Sequence, residues 1–283
     1  MRCVSRVSRA VARRTAATLL FLLLANAGPA WAQPGPTVPQ IAPGFPQQYD
    51  QCMQLARGNP QGGLDQAEAW RNLGGGFPAD HCAAVALIGL KKYADAATRL
   101  QNMAGAMMQA DPVLRGGALE QAGAAWLMAG KPDAAKADFD AALAYRPDDP
   151  EILIDRAEAS ALTQKWFEAI DDLNRVLDKA PNRVDALIYR ASAYRQLDSL
   201  DLAQDDVERA LALQPDAPAG LLERGNIRRL KGDLAGAAAD WRRAQSLAPN
   251  APEGKSAADN LQRLAEAGAA PGKSPAPAAA KKP

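Results

Sequence analysis

One spacing limits what this chain can fold into more than any other feature. Pro147, Pro181, Pro215 and Pro249 recur with a common period of 34, and so do Leu119, Leu153, Leu187 and Leu221. The same interval separates Ala135, Ala169, Ala203 and Ala237, and the acids Asp138, Asp172, Asp206 and Asp240. Four residue types sharing one period over four copies define a repeat. A unit of this length holds two helices of about 12–14 residues with short turns.

The residues inside the unit suit that division. Each spaced proline is followed by a short polar residue, Asp148, Asn182, Asp216 or Asn250, which is expected to cap the next helix. Pro150, Pro218 and Pro252 then fall in the first helical turn, where a missing N–H costs nothing. Gly130-Lys131-Pro132 and Gly232-Asp233 mark the turn between the two helices. On the second helix the repeated alanine is followed four residues later by Phe139, Leu173, Val207 or Trp241 on the same face. Only 5% of the residues are aromatic, so the core must be built from Ala and Leu, which favours closely packed helices. Arg156, Arg190 and Arg224 recur with the acids. Each follows one of the spaced Asp residues, a pairing that would join neighbouring repeats, and precedes the next, a pairing that would join the two helices of one repeat.

This pattern resembles the tetratricopeptide repeat, whose signature runs W-x2-L-G-x2-Y, then A-x3-F, then P. In residues 116–149 the matching positions are Leu119, Ala122, Gly123, Trp126, Ala135, Phe139 and Pro147. Units at 150–183, 184–217 and 218–251 follow in register, and a more degenerate one lies near 77–110, with Ala84, Leu87, Tyr93, Ala96 and Leu100. Ser160 and Arg228 replace the signature tyrosine, which implies looser packing there, with Trp166 placed to fill the gap beside Ser160. The resemblance implies an all-α fold, a right-handed α-solenoid of stacked antiparallel helix pairs. It also implies a concave face, lined by the first helices, that binds an extended peptide or a partner helix. The lining positions on this analogy are Glu120, Glu158, Tyr189, Ser192, Arg195, Glu223, Asn226 and Arg229, acidic early and more basic at the end. A subset of the family grips a C-terminal carboxylate with Lys and Asn. The matching residues here, Glu120, Ile154, Ile188 and Leu222, lack those donors, so that mode is not expected.

The ends read differently. Residues 1–14 carry five arginines and no acid, an apolar run spans Thr15 to Ala27, and Ala30-Trp31-Ala32 precedes Gln33. That is the order of a secretory signal peptide over 1–32, with an uncleaved amphipathic anchor as the alternative. The run falls short of the roughly 20 residues that cross a bilayer, so no integral membrane span is expected in the mature form. The expected compartment is a bacterial periplasm. A Pro-rich leader (33–46), a degenerate helical region (47–115), the four repeats (116–251), a capping helix (252–267, with Leu261 and Leu264 inward) and a disordered Pro/Ala/Lys tail (268–283) complete the map.

Export bears on the cysteines. Cys3 leaves with the signal peptide, and Cys52 and Cys82 remain as an even pair in an oxidising compartment, where a disulfide is expected. A free thiol pair, or a metal site shared with the adjacent His81, are the alternatives. Two thiols and one imidazole are one ligand short of a closed zinc site, so no metal and no other cofactor is expected. His81 itself is read as a surface or helix-start residue. Without residues 1–32 the chain has 28 basic and 32 acidic residues, and lacks the basic stripe that nucleic acid requires. A single histidine and glycine runs without the Lys-Ser/Thr of a phosphate loop leave no catalytic constellation, so no enzyme is expected. The function expected is a periplasmic scaffold or adaptor for a protein or peptide partner. The alternative is a self-assembling or membrane-associated structural component of the envelope.

Overall fold

The computed structural model describes residues 45–107 and 112–269. The segment expected to be a signal peptide, almost all of the expected leader and the expected tail beyond residue 269 lie outside the described residues. Within them the protein is all-α: thirteen helices and no strand. They are α1 (Phe45–Gly58), α2 (Pro60–Asn72), α3 (Gly76–Gly89), α4 (Tyr93–Ala106), α5 (Pro112–Met128), α6 (Pro132–Leu143), α7 (Pro150–Leu162), α8 (Trp166–Lys179), α9 (Val184–Gln196), α10 (Leu200–Leu213), α11 (Pro218–Leu230), α12 (Leu234–Leu247) and α13 (Pro252–Ala269). They form two compact units that divide between Thr163 and Gln164.

Two hydrogen-bonded turns, each repeated with the sequence period, set the helix lengths. After a second helix the chain reverses at the spaced proline. The N–H of Asp149, Arg183, Ala217 and Ala251 donates to the carbonyl three residues back, on Arg146, Ala180, Gln214 and Ala248, at 3.0–3.2 Å. Each proline therefore occupies the second position of a β-turn, where its fixed φ is favoured, and the polar residue after it takes the third. This corrects the expected capping: Asp148, Asn182 and Asp216 stand one residue too early, because the turn uses them. The N-caps are Asp149, Arg183 and Ala217, and of these only Asp149 caps with its side chain, accepting from the N–H of Glu151 and Ile152.

The turn inside a hairpin uses a left-handed residue. Gly130, Gln164, Asp198 and Gly232 all have positive φ and recur with the period of the repeat. The N–H after that residue reaches the carbonyl five back, as in Lys131 to Trp126, Ser199 to Tyr194 and Asp233 to Arg228, each at 2.9 Å. This 6→1 bond is the Schellman closure of a helix. Glycine suits the position because it carries no Cβ to clash in the left-handed region. Lys91 holds the same conformation after α3, and Lys92 donates back to Leu87, so the degenerate hairpin ends by the same device five residues out of period.

In the first unit α1 packs on α2 and α3, and each later helix packs on its neighbours up to α7. Ala56, Ala67, Ala79, Cys82, Ala83 and Ala86 surround Met53 and Trp70 at one end. Leu100, Met103 and Ala118 meet Ala84 and Ala122 further along. Cys52 and Cys82 are fully buried and bonded to each other across α1 and α3, with Cα atoms 6.1 Å apart. In the second unit Trp241, Val207, Leu221, Ile227 and the small residues Ala191, Ala203, Ala237, Ala244 and Ala257 make one core. Leu261 and Leu264 of α13 pack against it, so the closing helix covers the apolar end.

Candidate functional site

In a stack of such hairpins the first helices present their inner faces to whatever the array holds. The residues expected there fall in both units. In the first unit Glu120, on α5, accepts from Arg146 Nη2, while Arg146 Nη1 reaches Asp149 Oδ2 at 2.9 Å. Glu158, on α7, is buried.

The second unit gathers more of them. Arg195 of α9 donates from Nε to Glu223 Oε1 of α11 at 2.5 Å, and from Nη2 to Glu223 Oε2 and Ser192 Oγ, both at 3.4 Å. Asn226 Nδ2 donates to the same carboxylate at 3.4 Å. Asn226 Oδ1 accepts from Asn260 Nδ2 of α13 at 3.0 Å. Ser192, Arg195, Glu223 and Asn226 thus form one polar row that Asn260 extends across three first-type helices, with Glu223 only 6% exposed at its centre. Tyr189 lies half-buried on α9, and Arg229 is exposed on α11. Asn260 is the member that the sequence reading missed. It stands one full period after Asn226, and extending the repeat into the closing helix would have found it.

The periodic acids lie elsewhere and face the hairpin interior. Arg190 grips Asp206 through Nε and Nη2, both at 2.7 Å, and Arg224 grips Asp240 in the same way at 2.9 and 2.7 Å. Of the two pairings open to the sequence, these two arginines therefore adopt the one within a repeat, 16 residues apart. The pairing with the preceding repeat's acid is excluded for them, since each arginine spends its fork on the facing helix of its own hairpin. The adjoining repeat is reached through a different residue, Asn174 for Arg190 at 2.7 Å, and Arg156 meets Asp140 in the same register at 2.6 Å. The loosening expected around Arg228 is also corrected: its Nη1 joins Asp240 at 2.7 Å, replacing a tyrosine's packing with a second ion pair. Ser160 is fully buried and its hydroxyl has no hydrogen-bond partner among the described residues.

Asp138 holds the same register without an arginine, because Ala122 stands where Arg190 does two repeats later. Its carboxylate accepts instead from Gln101 Nε2, at 2.9 Å to each oxygen. Burial holds its pKa above the ordinary aspartate range, and the Gln101 hydrogen bond opposes that only in part.

His81 is neither the surface nor the helix-start residue expected from sequence, since it lies in the second turn of α3. It joins three helices of the first unit: Nε2 lies 2.8 Å from Gln121 Oε1 on α5, and Nδ1 lies 2.7 Å from the Tyr49 hydroxyl on α1. An amide oxygen can only accept, so the ring proton sits on Nε2, and Nδ1 accepts from Tyr49. Burial then pulls the His81 pKa below its usual value, with Arg57 pushing the same way and the Gln121 hydrogen bond opposing. A depressed histidine pKa means that the fold favours neutral imidazole, so its contribution is complete above about pH 6.5 and is lost as pH falls through the folded-state value. His81 is the sole histidine of the chain. The urea midpoint of the wild type should therefore fall between pH 7.5 and pH 5 more steeply than that of His81→Gln, and parallel profiles would refute the assignment.

Among the described residues no group of three or more His, Cys, Asp or Glu is placed to hold a metal, and no helix is long and apolar enough to cross a membrane. The family model for the tetratricopeptide repeat matches residues 127–184 and 189–252. Residues 127–252 carry tetratricopeptide repeats. Solved structures agree at the level of fold. A tetratricopeptide-repeat protein from Parabacteroides merdae aligns at 18% identity and a TM-score of 0.53, over 78% of this chain and 74% of its own. A thermophilic one from Thermus thermophilus gives 21% and 0.51, over 68% and 98%. MamA from Desulfovibrio magneticus gives 19% and 0.51, over 69% and 99%. No curated protein shows a significant match to the sequence.

Proposed function

We propose that this tetratricopeptide-repeat chain is an exported, non-enzymatic scaffold of a bacterial periplasm that holds a peptide segment or protein partner against the inner faces of its first helices. The observation that carries this reading is the polar row of the second unit. Ser192, Arg195, Glu223, Asn226 and Asn260 are linked by hydrogen bonds across α9, α11 and α13, with exposed Arg229 alongside. A row that crosses successive helices at one register marks a continuous inner face, from which exposed Arg229 is presented to an elongated ligand. The basic segment, apolar run and Ala-x-Ala site within residues 1–32 support export, and a bonded cysteine pair suits an oxidising compartment.

The test is photo-crosslinking in cells, with a benzophenone side chain replacing the expected lining residue Tyr189 of α9 or exposed Arg242 on α12. A crosslinked product of discrete mass should arise from position 189 and not from position 242. The protein should appear in the osmotic-shock fraction with Gln33 at its N-terminus. Retention in the cytosol would defeat the location, and equal products from both positions, or none, would defeat the groove.

A further inference from the structure

We infer that the inner face of α11 and α13 takes an acidic segment of the partner, with Arg229 receiving a carboxylate from it. This deepens the scaffold reading and rests on it. The chain supplies its own precedent. Arg195 reaches 28 residues ahead to the Glu223 carboxylate on the next first-type helix. The same step from Arg229 ends at Ala257, a fully buried methyl group with no charge to offer. Arg229 is thus the equivalent of Arg195 with no carboxylate at the position Glu223 fills. It is exposed and, among the described residues, makes no ion pair, whereas Arg190, Arg195, Arg224 and Arg228 of the same unit are all engaged.

Arg263 repeats the arrangement one period further on, exposed on α13 and likewise without an ion pair among the described residues. The Asn226–Asn260 hydrogen bond, one turn before the two arginines, holds α11 and α13 in register. A guanidinium presents two parallel N–H groups that match a carboxylate, as Arg195 already shows. Packed helices lie about 8–10 Å apart, and an extended polyproline-type segment advances about 9 Å every three residues. Acidic side chains three residues apart on such a segment would meet Arg229 and Arg263 together. Arg195 takes no part, because Glu223 already occupies it.

The test measures fluorescence anisotropy of labelled Glu-Pro-Pro-Glu-Pro-Pro and Gln-Pro-Pro-Gln-Pro-Pro peptides on the full mature chain. The glutamate peptide should bind at least about fivefold more tightly at low salt, the size of one good exposed ion pair. Arg229→Gln should remove most of that preference while leaving the thermal midpoint unchanged, since the side chain is exposed, and Arg263→Gln should weaken it further. Equal affinity for the two peptides, no binding of either, or an undiminished preference in Arg229→Gln would overturn the inference. Position-specific crosslinking from residue 189 with no acidic preference would sink this inference alone and leave the scaffold reading standing.

Discussion

Trp241→Ala is expected to lower the unfolding free energy of the second unit by about 3–5 kcal/mol, the range for truncating a buried aromatic. Trp241 is fully buried at the centre of that unit's core, packed among Ala191, Val207, Leu221 and Ile227. The same ring fixes what the facing helix can carry. A Cβ built on Gly225 would lie 2.5 Å from Trp241 Nε1 and 2.6 Å from Cδ1, closer than real Cβ contacts come. Gly123 has the same relation to the Phe139 ring, at 2.6–2.8 Å. Where the second helix carries the smaller Val207, the first carries Ala191. The two positions thus share one volume. Gly225→Ala should cost about 1–3 kcal/mol in the wild-type background, as overpacking does. In a Trp241→Val background it should cost far less, reproducing the Ala191–Val207 pair. Urea unfolding followed by circular dichroism gives the cycle, and additive effects would refute the shared volume.

Asp206→Ala carries the other large effect, expected at about 3–5 kcal/mol, because it leaves a mostly buried guanidinium without its partner. The Arg190 side chain is 16% exposed and that of Asp206 6%. Arg190→Met combined with Asp206→Leu should recover most of the loss, since an apolar pair of similar volume carries no desolvation cost. Asp138 gives the contrast. Its raised pKa means that the ionised carboxyl is a burden on the folded state above that pKa, relieved as pH falls through it. Asp138→Asn should therefore leave stability at pH 7 unchanged or higher, although Asp138 and Asp206 occupy the same register. Urea midpoints at pH 7 decide this. A loss of more than about 1 kcal/mol in Asp138→Asn, the net worth of an ordinary hydrogen bond, would contradict the reading.

These comparisons show how far the sequence reaches. The period placed Ala203, Val207 and Leu221 on buried faces, because a helix has a fixed number of residues per turn and small–large alternation has few ways to pack. It also supplied the register in which Asn260 and Arg263 belong, although the closing helix hides them by dropping the signature residues around them. It left open whether Arg190 served Asp172 or Asp206. The acid behind and the acid ahead both sit on neighbouring helices, at nearly equal distances along the chain, and only the direction of the hairpin interior separates them. His81 was illegible for a different reason. Its partners, Tyr49 and Gln121, lie 32 and 40 residues away, outside any period, in the irregular unit.

Taken alone, the amino-acid sequence determined the repeat, its two helices, the helical class and the faces that would be buried, because backbone periodicity converts spacing into orientation without reference to any distant contact. The tertiary structure alone decided which charges neutralise one another. That outcome depends on distances between side chains on different helices. Arg195 is consumed by Glu223 and Arg229 is left exposed because position 257 carries a methyl group in place of a carboxylate, and the difference emerges only once α9, α11 and α13 lie side by side.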